Sequence, residues 1–203
     1  MRINRICFVS VLLPFFAAVS SASELDAVVE NCNGCHGTDG VSQWSDVPTI
    51  AGMPEYVHSD ALYFYRDNER PCGDSEYRQG DTSRPATNMC SVAGDMSDDM
   101  IDEVAAYYAE LPFVAAQQEF DASLAATGKA VHDEKCDMCH SDGGSNPDDE
   151  AGILAGQWMG YLEVSFAQYA TDDREQPKSM KEMIDTLSEA DVTALVHYYA
   201  SQQ

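Results

Sequence analysis

Two stretches of the chain carry the same apolar rhythm. Met100, Ile101, Val104, Ala105 and Tyr108 recur at helical spacing, and Val192, Leu195, Val196 and Tyr199 repeat the pattern near the C-terminus. A serine and a group of acidic residues precede each stretch: Ser97 with Asp98 and Asp99, Ser188 with Glu189 and Asp191. A serine oxygen accepts from the free N–H groups of a first turn, and carboxylates favour its positive end. The pattern therefore predicts two capped amphipathic helices, the first ended by Leu111-Pro112. The run Ile6 to Ala18 is different, being apolar throughout. Arg2 and Arg5 precede it and Ser20-Ser21-Ala22-Ser23 follows, so residues 1–22 read as a secretory signal. A membrane anchor is the alternative, but it needs about 20 apolar residues. No later run comes close, so no transmembrane anchor is expected in the mature chain.

The helices belong to a longer internal repeat. Laying Cys32 on Cys136 also brings His36 onto His140, Ile50-Ala51-Gly52 onto Leu154-Ala155-Gly156, Tyr65 onto Tyr169 and Arg70 onto Arg174. Past Arg70 a shorter shift is needed, which lays Met89 on Met180, Ser97 on Ser188 and Tyr107-Tyr108 on Tyr198-Tyr199. The first half thus holds an insertion between Arg70 and Met89, rich in turn residues and starting Pro71-Cys72-Gly73-Asp74. Each half reads as a leading helix, a Gly-rich loop, a middle helix, a polar loop and a terminal helix, with few strands. The expected fold is all-α, with two duplicated domains at 23–112 and 121–203 and a linker over 113–120. Domains of roughly 90 residues are marginal on a polypeptide core alone.

A reason for the small cores lies in Cys32-Asn33-Gly34-Cys35-His36 and Cys136-Asp137-Met138-Cys139-His140. Cys-x-x-Cys-His is the attachment pattern of a c-type haem. Two thiols bond to the vinyl groups of the porphyrin, and the adjacent histidine ligates the iron. The rival is a zinc ribbon, whose Cys-x-x-Cys pairs stand about 15–20 residues apart. Here a whole repeat separates the pairs, and zinc gives no reason for a histidine after each. The reading is two covalent haem c groups on Cys32, Cys35, Cys136 and Cys139, with His36 and His140 as iron ligands.

Of the seven cysteines, Cys7 lies in the signal, and Cys72 and Cys90 remain as a disulfide pair closing the insertion. Such pairing suits the oxidising periplasm, where an exported chain of this kind would receive its haem. The charge is strongly acidic, with 35 Asp and Glu against 11 Lys and Arg and a net −24. This argues against nucleic acid and anionic lipid as partners. It suits a redox protein with a basic docking patch, since opposite fields accelerate encounter, and it equally suits a surface kept for solubility.

The second axial ligand sets the chemistry of a histidine-bound iron. Methionine sulfur favours ferrous iron and raises the potential. Met89 and Met180 are the methionines matched across the repeat, and they are the expected ligands; Met183 is the nearest rival in the second half. Met53, Met96, Met100 and Met138 are expected to fill core. His58, His132 and His197 have no histidine counterpart and read as surface or satisfied-core residues. Cys90 follows Met89 directly, so a thiolate ligand there is the alternative to its disulfide.

With these residues in place the chain resembles the two-haem class I cytochromes c of the cytochrome c4 type. The matching residues include Cys32 to Gly40, the Pro48-x-Ile-Ala-Gly turn, Met89 to Asp99, Leu154-Ala155-Gly156-Gln157, Met180 to Asp191 and the closing Tyr-Tyr-Ala-Ser-Gln. The resemblance implies two tandem class I cytochrome c domains packed face to face, each with His/Met iron, in a periplasmic electron carrier. It also implies that the Pro48 carbonyl supports the free ring nitrogen of His36. Gly152 stands at the corresponding place in the second half, and the Cys72–Cys90 insertion lies outside the family pattern.

The first functional reading is electron transfer between redox partners, with both axial positions filled and no catalytic residue. A second is the cytochrome subunit of a flavocytochrome c sulfide dehydrogenase-like complex, with a flavoprotein partner and membrane contact only through partners. A third is an enzyme, a two-haem peroxidase or a thiosulfate-oxidising cytochrome, which needs an open iron or an unusual ligand.

Overall fold

The computed structural model of the protein describes residues 21–203, and the expected export signal falls almost entirely outside them. Among the described residues the chain is helical, with one isolated antiparallel bridge between Ser75 and Thr87. The first half comprises α1 (Ser21–His36), α2 (Glu55–Arg66), α3 (Met89–Gly94) and α4 (Asp98–Ala109). The second comprises α5 (Ala122–Lys135), a distorted turn α6 (Ser141–Gly144), α7 (Met159–Ala170), α8 (Lys178–Ile184) and α9 (Glu189–Ala200). No helix among the described residues is long and apolar enough to cross a membrane.

The expected caps form. The Ser97 hydroxyl accepts from the Met100 N–H at 3.2 Å. Ser188 accepts from the Asp191 N–H at 3.2 Å, and the Asp191 carboxylate accepts from the Ser188 N–H at 2.9 Å, a reciprocal capping box. The stripe Met100, Ile101, Val104, Ala105 and Tyr108 is buried whole. It packs with Cys32, Leu62 and Ala93, while Leu195, Val196, Tyr198 and Tyr199 pack with Val131 and Leu162 in the second half. The short helices α3 and α8 arise where a polar loop is expected. Asn88 starts the former, its side chain accepting from the Ser91 N–H at 2.9 Å.

The duplication extends to the hydrogen bonds. Ile50 and Ala51 donate to the Gly40 carbonyl at 2.8 and 3.2 Å, and Leu154 and Ala155 donate to Gly144 at the same distances. Gly52 donates to Tyr108 and Gly156 to Tyr199, both at 2.8 Å. Gly40 and Gly144 hold φ values of 74° and 82°, which glycine adopts without steric cost.

The halves meet through the residues that follow these turns. Gln157, fully buried, accepts from the Thr49 N–H at 2.9 Å and donates to the Thr49 carbonyl at 3.0 Å. Met53 occupies the matching place in the first half, and its sulfur accepts from the Ile153 N–H at 3.3 Å. Met53 is therefore buried, as expected, but at the contact between halves. The Trp158 indole donates to the Ser42 carbonyl at 3.0 Å, and the Tyr161 N–H to Ser45 at 2.8 Å. The segment between α4 and α5 is pinned along this contact. Ala116 donates to the Gly156 carbonyl at 2.7 Å, and the Gln118 side chain bridges Gln157 and Met159 at 2.8 and 3.0 Å.

His58 departs from its sequence reading. It is buried, but its Nε2 has no hydrogen-bond partner. Burial drives its pKa down to about 4. Between pH 6.5 and about 4 the unfolded chain then binds a proton that the folded one refuses, so stability falls as pH drops through that window. The position matches Leu162 in the second half, so His58→Leu is a native-like replacement. Urea unfolding of the holoprotein should show a loss of about 3 kcal/mol between those limits that is absent in His58→Leu. Equal pH dependence in both proteins would remove His58 as the cause.

Candidate haem sites

The first motif is helical to its end, since α1 runs through His36. Cys32 faces the first cluster, and burial pushes its thiol up to about 11. Cys35 is half-buried. The His36 ring is buried, and its Nδ1 bonds to the Pro48 carbonyl at 3.0 Å. That bond puts the ring proton on Nδ1 and leaves the Nε2 lone pair for iron, the arrangement implied by the resemblance.

The second motif is built differently. Helix α5 stops at Lys135, and Cys136 to His140 form turns. His140 Nδ1 is buried without a hydrogen-bond partner. Burial lowers the pKa of this ring, and the Gly152 carbonyl still faces it closely enough to act in the opposite direction, but without the well-formed bond that Pro48 makes to His36. Met138 is 95% exposed, which corrects its reading as core. It lies in the tight turn between the two cysteines, and its side chain leaves the protein.

Met89 opens α3, half-buried against the first cluster. Met180 sits within α8, also half-buried, whereas Met183 is 41% exposed. Cys90 is bonded to Cys72, which removes the thiolate alternative. The four motif cysteines are free. No three His, Cys, Asp or Glu side chains gather as a metal cluster among the described residues, so the two Cys pairs do not share a ribbon-like site.

His132 is fully buried, with Nδ1 bonded to the Tyr199 hydroxyl at 3.0 Å. His197 accepts from the Asp121 N–H at 3.0 Å and so supports the start of α5.

One cluster escaped the sequence reading. Arg70 is 8% exposed and lies 4.5 Å over the Tyr65 ring; its repeat counterpart Arg174 lies 4.4 Å over Tyr169. Arg70 donates to the Tyr161 hydroxyl across the domain contact at 3.5 Å, and its Nε has no partner. Arg174 donates to the Ser165 hydroxyl at 3.4 Å. Burial raises the Tyr161 hydroxyl, yet Arg174 and Arg70 together bring it down to about 7. Neither arginine has a carboxylate partner among the described residues, in a chain with three acidic side chains for each basic one. Burying a guanidinium is costly unless an anion compensates it. The two propionate carboxylates of a haem are such anions, so the residues present fit the group. The available signal was the repeat itself, which pairs Arg70 with Arg174 and Tyr65 with Tyr169.

The chain resembles known proteins in sequence and in fold. Residues 123–198 match the family model "Cytochrome C oxidase, cbb3-type, subunit III". The chain is similar to cytochrome c4 of Pseudomonas aeruginosa, 26% identical over 90% of this chain and 88% of that one. It is also similar to a thiosulfate dehydrogenase electron acceptor of Stutzerimonas stutzeri, 26% identical over 84% and 78%. Cytochrome c-554(548) of Halomonas halodenitrificans is 30% identical, over 39% of this chain and 83% of its own. The chain spans only 36% of a cbb3-type oxidase subunit of Azospirillum sp., which is 33% identical over 56% of this chain. Among solved structures, reduced cytochrome c4 from Pseudomonas stutzeri superposes with a TM-score of 0.71 at 23% identity, over 90% of this chain and 98% of that one. The thiosulfate dehydrogenase of Marichromatium purpuratum superposes at 0.69 and 22%, over 89% of this chain and 40% of that one. The duplicated motifs, the helical halves and these relatives converge, and the chain belongs to the two-haem class I c-type cytochromes of the cytochrome c4 type.

Proposed function

We propose that the protein is a periplasmic electron carrier whose two irons are ligated by His36 with Met89 and by His140 with Met180. Cys32, Cys35, Cys136 and Cys139 would hold the two haems covalently. Bound haem iron cycles between ferric and ferrous and supplies one electron per half. The polypeptide then has three tasks. His36, fixed by Pro48, presents one nitrogen to the first iron. Met89 and Met180 would each supply a sulfur ligand to an iron, and an iron so held would offer no position to oxygen or peroxide. Arg70 and Arg174 would balance the carboxylates of the bound haems. The observation that carries this reading is the matched ligand set, with one histidine and one half-buried methionine at equivalent places in each half. The acidic surface suits a donor or acceptor with a basic docking patch.

A second reading is favoured by the thiosulfate dehydrogenase relatives: the chain would serve as electron acceptor of a dehydrogenase and stay bound to it. Optical spectra and a redox titration of the holoprotein separate these from the enzyme reading. Two electrons per chain, low-spin ferric spectra and the weak far-red band of sulfur on ferric haem are expected. A high-spin component from one haem would mean an open iron and an enzyme. Thiosulfate-dependent reduction without added dehydrogenase would mean the same.

A further inference from the structure

The two haem motifs are closed off from solvent to very different degrees. Tyr77, from the insertion, is 7% exposed and its ring packs against Gly34, which stands between the first two cysteines. A Cβ on Gly34 would come within 2.7 Å of its ring. The Arg78 and Gln79 N–H groups donate to the Gly34 carbonyl at 2.8 and 3.2 Å. The Tyr77 hydroxyl and Arg84 both donate to Asn31 at 2.8 Å, and the Arg84 guanidinium stacks 3.8 Å over the Tyr77 ring. Arg78 is anchored to both carboxylate oxygens of Asp46 at 2.6 Å. The insertion is thus a fitted cover over the first motif.

The second half has no such segment. Met138 takes the place of Gly34 and is 95% exposed, and Cys139 is exposed where Cys35 is half-buried. Glu134, Asp137 and Asp142, within four residues of Met138 in sequence, are exposed carboxylates. Lys129 is neutralised by Asp133 at 2.7 Å, and Lys135, which donates to the Thr186 hydroxyl at 2.9 Å, leaves one positive charge against these three carboxylates. An exposed apolar side chain flanked by carboxylates complements a protein with an apolar redox edge inside a lysine and arginine rim.

We propose that electrons enter and leave this chain through its second half, where the face around Met138 docks a basic electron-transfer protein, while residues 73–88 close the equivalent face of the first half. This rests on the carrier reading. Electron tunnelling falls steeply with distance, and the cysteines mark the porphyrin edge tied to the chain. A cover on that edge keeps a partner away from it.

The test is stopped-flow electron exchange between the holoprotein and a basic single-haem cytochrome c at low ionic strength. Met138→Lys/Glu134→Lys places two positive charges on exposed positions, where folding is not at stake. It should slow exchange about tenfold, and the effect should fade as salt rises. Glu76→Lys, an exposed reversal on the cover, should change the rate less than twofold. A larger effect from Glu76→Lys, or equal effects, would overturn the assignment of the docking face and leave the carrier reading intact. Wild-type protein that exchanges no electrons with the probe would remove both.

Discussion

On the proposed ligation, replacing Met89 by alanine should lower the reduction potential of the first haem by roughly 0.2 V, and Met180→Ala should do the same to the second; axial ligation as a whole spans about 0.8 V. The sign follows from softness: thioether sulfur stabilises ferrous iron, and water or no ligand in its place favours ferric. Each variant should shift one of two one-electron steps and leave the other in place, because the methionines belong to separate halves. A spectroelectrochemical titration reads both steps at once. If Met180→Ala moves neither step and Met183→Ala moves one, the ligand in the second half is Met183, despite its exposure. The two variants should not be equivalent in stability. Met89 packs against the first core cluster, so its removal also leaves a cavity, at a cost of about 2–5 kcal/mol.

Removing the disulfide with Cys72→Ser/Cys90→Ser costs about 3 kcal/mol in the chain-entropy model, for residues 18 apart in sequence. The loss should be confined to the first half. The insertion carries Tyr77, Arg78 and Gln79 between those two cysteines, so the cover over Gly34 loosens while the second half is untouched. Amide exchange makes the point locally: the Arg78 and Gln79 N–H groups, bonded to the Gly34 carbonyl, should exchange faster in the variant. The backbone amides of α9 should keep their protection. Unchanged exchange at Arg78 would mean that Tyr77 and the Arg78–Asp46 pair hold the cover without help from the disulfide. Cys90 directly follows Met89, so the variant also tests whether the bond steadies the ligand. A broadened first redox step would be its signature.

What the sequence made legible was periodic or paired. The helices α4 and α9 follow from stripes and caps, because a serine, its acidic neighbours and the apolar positions all lie within four turns. The matched histidines and methionines follow from alignment of the chain with itself. Contacts between residues far apart in sequence were not legible. Met138 reads as one more apolar residue, and only the turn between Cys136 and Cys139 directs it into solvent. Tyr77 reads as a loop aromatic, and only the returning insertion lays it on Gly34. Arg70 and Arg174 look like surface charges in a chain rich in carboxylates. Their significance lies in the carboxylates they do not meet, which depends on the packing of two helical halves.

Position 53 and its counterpart 157 carry a consequence for the history of the duplication. A symmetric dimer of identical chains must place the same residue on both sides of its axis, so one side chain has to suit both neighbours. A fused pair is released from that condition. Here one side reaches across with a carboxamide that clasps the Thr49 backbone twice, and the other reaches back with a thioether that accepts from the Ile153 N–H. Each copy has become the lock for a key that only the other copy carries. Either half released as a separate chain would therefore meet a second copy of itself with the wrong residue at the centre of the contact, and the two units would pair in preference as unlike partners.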